Sequence, residues 1–283
     1  MIRLFILLTI LTGTNTHAQL TQSSLGEELS LLEIGVGAIT IDIPDYPGSG
    51  HNTTHTIPFP AAIYRGDLLR ADEEGGVRTR FFHGPRMELN MSVGGQLPSN
   101  SEENPDRTGM PDLHTIIELG PGLIFHFIPP SRDAKRKLSL NVPLRYAISS
   151  DLKRFDGRGF IFNPVIYYIE EQFLLKHLTL FTSFDTRFAT RRLHDYFYSV
   201  TPQFATSHRP HYQAKGGYLG SSLSLGLTYS FKRRLNVIFG LYHSNYQGSP
   251  NLDSPLFAKK ETTSIGIGLI WWFYQSDVKG LTY

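Results

Sequence analysis

Between residues 76 and 94 apolar and polar positions alternate without a break. The odd positions carry Val77, Thr79, Phe81, His83, Pro85, Met87, Leu89, Met91 and Val93. The even positions carry Arg78, Arg80, Phe82, Gly84, Arg86, Glu88, Asn90, Ser92 and Gly94. Successive side chains of a strand point to opposite faces, so this period predicts a strand with one oily and one polar face.

The period recurs along the chain. Leu32, Ile34, Val36 and Ala38 alternate with Glu33, Gly35 and Gly37, and residues 57–69 form a second, less regular strand before a third at 76–96. Residues 113–128 set Ile117, Leu119, Leu123, Phe125 and Phe127 against His114, Glu118, Gly120 and Gly122. Residues 137–148 set Leu138, Leu140, Val142, Leu144, Tyr146 and Ile148 against Ser139, Asn141, Arg145 and Ala147. The stretch 159–169 is apolar on both faces. Further strands are predicted at 176–188, 217–231, 234–243 and 262–274. Most are long enough to cross an outer membrane at a tilt, and together they predict an all-β fold: a transmembrane, antiparallel, up-and-down β-barrel of about ten strands.

Connection lengths fit that count. In a barrel with both ends periplasmic, every second connection faces the exterior and is the longer kind. The segments 41–56, 97–112, 149–158, 189–216 and 244–261 are the expected outer loops; 70–75, 129–136, 170–175 and 232–233 are the expected periplasmic turns. A twelve-strand alternative splits the third strand at His83-Gly84-Pro85 and adds one near 196–204. It leaves a very short third strand and moves 97–112 to the periplasm, so ten is preferred. Phe125, Phe127, Tyr229, Phe231, Trp271 and Phe273 fall at the periplasmic ends, the pattern of an interfacial aromatic girdle. The chain runs past Phe273 to Tyr283, unlike a barrel that ends on an aromatic of its last strand.

The first residues read as a secretory signal peptide over 1–18: Arg3, an apolar run from Leu4 to Leu11, and small residues up to Ala18. The barrel domain is then 19–283. No continuous apolar run of about twenty residues follows, so no transmembrane helix is predicted. There is no cysteine, hence no disulfide framework. The formal net charge is only +2, which excludes the electrostatic footprint of nucleic-acid binding. Mean hydropathy is -0.18, too low for a helical membrane protein and compatible with a barrel whose strands turn one face to a polar lumen.

The inward positions carry charge of both signs: Glu33, Arg78, Arg80, Arg86, Glu88, Glu118, Arg145, Asp185 and Arg187. No single-sign ring appears, so these residues predict a salt-bridged lumen network ahead of a selective pore. The pairs His51/His55 and His208/His211 lack the carboxylates or cysteines that would complete a metal site at ligand spacing. His243-Ser244 suggests a base and nucleophile, but adjacent strand residues face opposite ways. No phosphate-cradling loop or nucleophile elbow occurs. Neither a catalytic residue, a cofactor site nor a metal site is assigned.

Several segments, in order, carry a family likeness. They are Val36-Gly37-Ala38, Pro44-Asp45-Tyr46-Pro47-Gly48-Ser49, Ile57-Pro58-Phe59-Pro60, Tyr64-Arg65-Gly66 and Gly109-Met110-Pro111-Asp112-Leu113. Glu118-Leu119-Gly120-Pro121, Tyr196-Phe197-Tyr198-Ser199-Val200, Tyr212 with Gly216-Gly217-Tyr218, and Asp253-Ser254-Pro255-Leu256-Phe257 complete the set. Nearly the whole mature chain resembles the MipA/OmpV family of Gram-negative outer-membrane proteins. The resemblance implies a non-enzymatic scaffold in the cell envelope. Its partners would be outer-membrane lipid and, on the periplasmic side, a murein hydrolase (a membrane-bound lytic transglycosylase) and a peptidoglycan synthase of the penicillin-binding type. A narrow solute channel or uptake porin, and a surface adhesin, are the alternatives. The family-like loops fall on the expected outer side, whereas a murein scaffold needs a periplasmic face. Arg132, Lys135, Arg136, Lys137, Lys232, Arg233 and Arg234 give that face basic charge.

Overall fold

The structure is a computed structural model. It describes residues 30–65, 69–72, 76–128, 134–231 and 234–280; for 69–72, 76–80 and 83 the backbone alone is described. The leader read at 1–18 lies outside these residues. So do Arg132, Lys232 and Arg233 and the side chains of Arg78 and Arg80.

One antiparallel sheet closes on itself. Its segments are β1 (Leu32–Pro44), β2 (Asn52–Arg65), β3 (Leu69–Asp72), β4 (Gly76–His83), β5 (Met87–Gln96), β6 (Thr115–His126), β7 (Arg136–Ser150), β8 (Phe155–Phe162), β9 (Val165–Glu171), β10 (Leu178–Ala189), β11 (Gly217–Phe231), β12 (Leu235–Asn245) and β13 (Glu261–Gln275). β13 pairs with β1 and completes the circuit. β8 and β9 are two halves of one wall strand between β7 and β10, interrupted at Asn163-Pro164. The wall therefore has twelve strands, the alternative count and not the preferred ten.

The two additional strands arise differently from that alternative. The third strand does divide at the Gly84 turn, where the Gly84 N–H donates to Met87 O at 2.8 Å. A bulge between Arg80 and Phe82 keeps the apparent parity intact across the turn, and for that reason the alternation reads as unbroken. The other added strand is the short β3, placed where a turn at 70–75 is expected. Residues 196–204 form no strand; they belong to helix α1 (Arg191–Tyr198) and a following 3-10 turn. Because β3 and the split come as a pair, residues 97–114 stay at the same end as the other long loops. That end is called the loop end below, and the opposite one the turn end.

β3 and β4 form a low hairpin in the wall. β3 pairs with β2 only at Tyr64 and Arg65, and β4 pairs with β5 only from Arg80 to His83. Among the described residues, the upper edge of β2 and the Met91–Gln96 edge of β5 therefore join no third strand. The sequence of β2 matches this. The Arg65 N–H donates to Leu31 O at 2.9 Å, so odd residues of β2 bond β1 and even residues turn their backbone the other way. Pro58 and Pro60 are even, and proline has no N–H to leave unpaired in lipid. The tail beyond Phe273 is also accounted for: the Ser276 N–H donates to Leu32 O at 2.9 Å and the Leu31 N–H to Val278 O at 2.7 Å, extending the β13–β1 seam.

The interior is divided. Ile39, Phe59, Ala61, Ile63, Ile238, Ile270 and Trp272 from β1, β2, β12 and β13 form an apolar cluster, and Tyr167, Ile169 and Phe181 form a smaller one. The β6–β7–β10 side is polar. Arg145 Nη1 donates to Glu118 Oε2 at 2.9 Å, and both are almost fully buried. Gly94 makes room, since a Cβ there would overlap Arg145 Nη1. Removing one member of a buried ion pair leaves a charge with no compensation, costing about 3–5 kcal/mol. We expect Glu118→Leu to destabilise the folded barrel by that order in urea-gradient unfolding, and Glu118→Leu combined with Arg145→Met to recover most of the loss.

Candidate functional site

Residues 45–51, 97–114, 190–216 and 246–260 do not hang free at the loop end. They share one hydrophobic core with the strand tips: Tyr46, Met110, Leu113, Leu193, Phe197, Tyr198, Val200, Leu256 and Phe257 are all buried in it. Apolar residues in four separate loops bury only by covering one another, and the barrel mouth is where the loops meet. Tyr46 stacks on Phe197 with ring centroids 6.3 Å apart, and Tyr198 lies 5.1 Å from Phe257. Gly48 lets the first loop turn under the Phe257 ring: its φ is +80°, and a Cβ there would strike that ring.

Buried phenols and backbone groups need partners, and each loop supplies them to another. The Tyr46 hydroxyl donates to Leu256 O at 2.8 Å and the Tyr198 hydroxyl to Pro47 O at 2.8 Å. Ser254 Oγ donates to Tyr198 O at 2.7 Å, and Asn104 Nδ2 to Asp45 Oδ2 at 2.6 Å. Arg107 donates to Ser101 Oγ and Pro111 O and lies 5.6 Å from the Tyr46 ring centroid. Burial pushes the phenols of Tyr46 and Tyr198 far above their ordinary range, so both stay neutral donors. The loops are one folded cap.

α1 is tied to this cap through His194. Asn251 Oδ1 accepts the Lys215 N–H at 2.8 Å, which turns its Nδ2 toward His194 Nδ1, also at 2.8 Å. Nδ1 is therefore the acceptor, and Nε2–H donates to Gly217 O at 3.2 Å. Burial lowers the His194 pKa, against smaller opposing effects of the Gly217 bond and Asp195.

Beneath the cap lies a cavity of ≈ 100 Å³, bounded by Gln96, Asp185, Arg187, Ser222, Tyr242 and Ser264 among others. Asp185 and Arg187 are two of the predicted lumen charges. Asp185 Oδ1 accepts from Asn163 Nδ2 at 3.1 Å, and Asn163 is fully buried at the β8–β9 break. Glu118 and Arg145 lie in the same polar region. Glu33 is elsewhere, at the turn end, bonded to Arg65 Nη1 at 2.6 Å and to Gln275 Nε2 at 2.8 Å. Glu88 is buried and accepts from Asn90 at 3.1 Å. Arg86 is a correction: it sits exposed in the β4–β5 turn and does not face the lumen. Arg65 and Asn163 are buried polar residues that the alternation did not single out. Counting odd positions inward along β2 would have found Arg65, while nothing local marks Asn163 apart from the proline after it.

Phe125, Phe127, Phe231, Trp271 and Phe273 are exposed near the turn end, and Tyr229 packs edge-on against Phe231 at 4.5 Å. His243 and Ser244 face apart: His243 is exposed beside Thr263, while Ser244 is buried against Ser222. His51 contacts Asp45 at 3.1 Å, and His211 contacts Val200 O at 2.6 Å. Among the described residues, no group of three or more potential metal ligands converges.

A family model described as MltA-interacting protein MipA matches residues 34–273. The chain belongs to that family. This MipA-family chain is an outer-membrane β-barrel. No curated protein matches it in sequence. Among solved structures it is similar to an outer membrane channel from Pseudomonas putida F1 (7% identity, TM-score 0.45, 89% of this chain and 100% of that one). It is also similar to the NanC porin (11%, TM-score 0.37, 86% and 99%) and to outer membrane phospholipase A from Escherichia coli (13%, TM-score 0.33, 86% and 98%). These likenesses are too distant to carry a function.

A pH dependence follows from His194. Its folded pKa is lowered, so the cap is undisturbed above the ordinary histidine value of about 6.5 and loses stability as pH falls below it. Protonated Nδ1 would confront the Asn251 amide donors. Limited proteolysis of the loops should accelerate from pH 7 to pH 5 in the native protein, and His194→Gln should flatten that profile.

Proposed function

We propose that this MipA-family barrel is a non-enzymatic scaffold that recruits a murein hydrolase, and with it a peptidoglycan synthase, at its turn end. The family match carries the reading, because its description names an interaction with MltA. The structure supplies a surface for it. With the turn end in the periplasm, the rim exposes Arg86, Lys135, Arg136, Lys176, Arg234 and Lys279, against an exposed Asp277 and a Glu170 already bonded to Arg136. The exposed aromatics from Phe125 to Phe273 then form the interfacial belt above that rim. The lumen charges hold the barrel rigid, and the packed cap favours a closed barrel over an open porin. The opposed faces of His243 and Ser244 support the absence of hydrolase chemistry.

The test is binding of a soluble murein lytic transglycosylase to the purified barrel in nanodiscs. Reversing Lys135, Arg136 and Arg234 to Glu should weaken binding by at least about tenfold, as expected when a few rim charges are turned against an acidic partner. His208→Ala, on the exposed cap, should leave binding unchanged. Equal binding by the charge-reversed rim would contradict the proposal.

A further inference from the structure

Near the loop end, the outer face of the barrel differs from one side to the other. On the β12–β13–β1–β2 side the outward rows finish in polar side chains that bond one another. Asn52 Nδ2 donates to Asp42 Oδ1 at 2.6 Å, and Asn245 Nδ2 to Glu261 Oε1 at 2.8 Å. On the β7–β8–β10–β11 side the rows stay aromatic. Tyr146 meets Phe160 edge-on at 5.1 Å, and Phe188 lies 6.4 Å from Phe162 and 5.6 Å from Tyr218. The register carries this surface up to Phe155, which pairs with Ser150 as Phe160 pairs with Tyr146, and Phe155 is 68% exposed.

The β7–β8 connection beside Phe155 holds its side chains outward. Asp151 Oδ1 accepts the Lys153 and Arg154 N–H groups at 2.8 and 2.7 Å. Leu152 takes a φ of +74°, a conformation that turns usually give to glycine or asparagine, and is 67% exposed. Packing does not account for a strained, bulky apolar residue at this tip, whereas contact with lipid does.

Cations flank the same surface. Asp156 and Asp195 are taken up by Arg158 and Arg191, each at 3.4 Å, but Lys153, Arg154, Arg192 and Lys215 are exposed and form no salt bridge among the described residues. The Thr190 N–H donates to Phe160 O at 2.9 Å, and a Cβ on Gly159 would lie 3.6 Å from Arg192 Cβ, so Arg192 stands at the end of the Phe160 row. Gly216 runs against the Arg191 backbone and brings Lys215 to the same place. From Gly159 out to Arg154 the chain climbs roughly 15 Å at about 3.3 Å per residue, which sets the second pair of cations apart from the first.

We propose that this side of the barrel binds a phosphorylated glycolipid of the outer leaflet, an acylated disaccharide with a phosphate at each end. One phosphate sits on Arg192 and Lys215, the other on Lys153 and Arg154, and the acyl chains lie along Phe155, Phe160 and Phe188. A phospholipid with a single phosphate engages one pair only. On the opposite side the outward carboxylates of Asp42 and Glu261 repel the same headgroup, and Lys259 and Lys260 next to Glu261 take no part. The site lies at the far end from the rim and does not depend on rim docking.

Titration of the detergent-solubilised, full-length barrel with diphosphoryl lipid A, monophosphoryl lipid A or phosphatidylglycerol tests it, with bound lipid counted by native mass spectrometry. Diphosphoryl lipid A should be retained at least about tenfold more tightly than either other lipid, since each basic side chain near an anionic headgroup is worth about fivefold. Reversing Arg192 and Lys215 to Glu, or Lys153 and Arg154 to Glu, should weaken its binding by at least about tenfold and remove the preference for a second phosphate. Lys259→Glu with Lys260→Glu should leave binding unchanged, and the heat-dependent gel mobility of a folded barrel confirms that each variant folds. Equal retention of the three lipids, binding that survives both reversals, or an equal loss in the Lys259/Lys260 variant would overturn the proposal.

Discussion

Lipid offers no partner for a backbone N–H or C=O, and this constraint governs the wall of the molecule. It explains why the sheet closes through the β13–β1 seam and why residues 276–280 continue that seam. It also explains where proline sits. Pro58 and Pro60 turn toward the one stretch of β2 that joins no third strand among the described residues, and Pro164 marks the break between β8 and β9. At that break Asn163 turns inward and bonds Asp185, so a wall defect becomes part of the polar interior.

The interior follows from the same closure. Twelve strands leave a narrow lumen, and side chains fill much of it. One side does so with an apolar cluster around Phe59 and Trp272, the other with the Glu118–Arg145 pair and its neighbours. The Glu118–Arg145 pair is tolerated there because each ion offsets the other, with Gly94 providing the space for the guanidinium. Above them the cap adds a second hydrophobic core, made wholly from loops and strand tips. Barrel and cap together border a region where polar groups and unfilled space coincide, around Asp185.

Much of the barrel is legible in the sequence, because a two-residue period survives any amount of sequence change that keeps one face oily. The period also misleads. It runs through the Gly84 turn since the bulge at Arg80–Phe82 keeps Phe81, Met87 and Leu89 exposed alike, and so a hairpin reads as one strand. The four-residue β3 is too short to show a period. The cap is invisible to periodicity because its core residues come singly from distant loops; Tyr46, Met110, Tyr198 and Phe257 acquire meaning only together. They fall within the very motifs that carry the family likeness, so composition at those positions records the cap even where pattern does not. The Asp185 site was half legible: inward parity places Asp185 and Arg187 in the lumen, while the cavity beside them depends on how the cap descends.

The central claim is that the four loops fold as one unit over the barrel mouth. Hydrogen–deuterium exchange on the full-length barrel in nanodiscs tests it most directly. The amides of Ser49, Arg107, Met110, Val200, Tyr212, Ser254 and Phe257 donate within their own loops, and those of Ala258 and Lys259 donate to Gly48 O across two of them. The account predicts that they exchange slowly and together, with protection approaching that of the strands. Exchange of these amides within seconds, loop by loop, would contradict it and return the mouth to a set of independent loops.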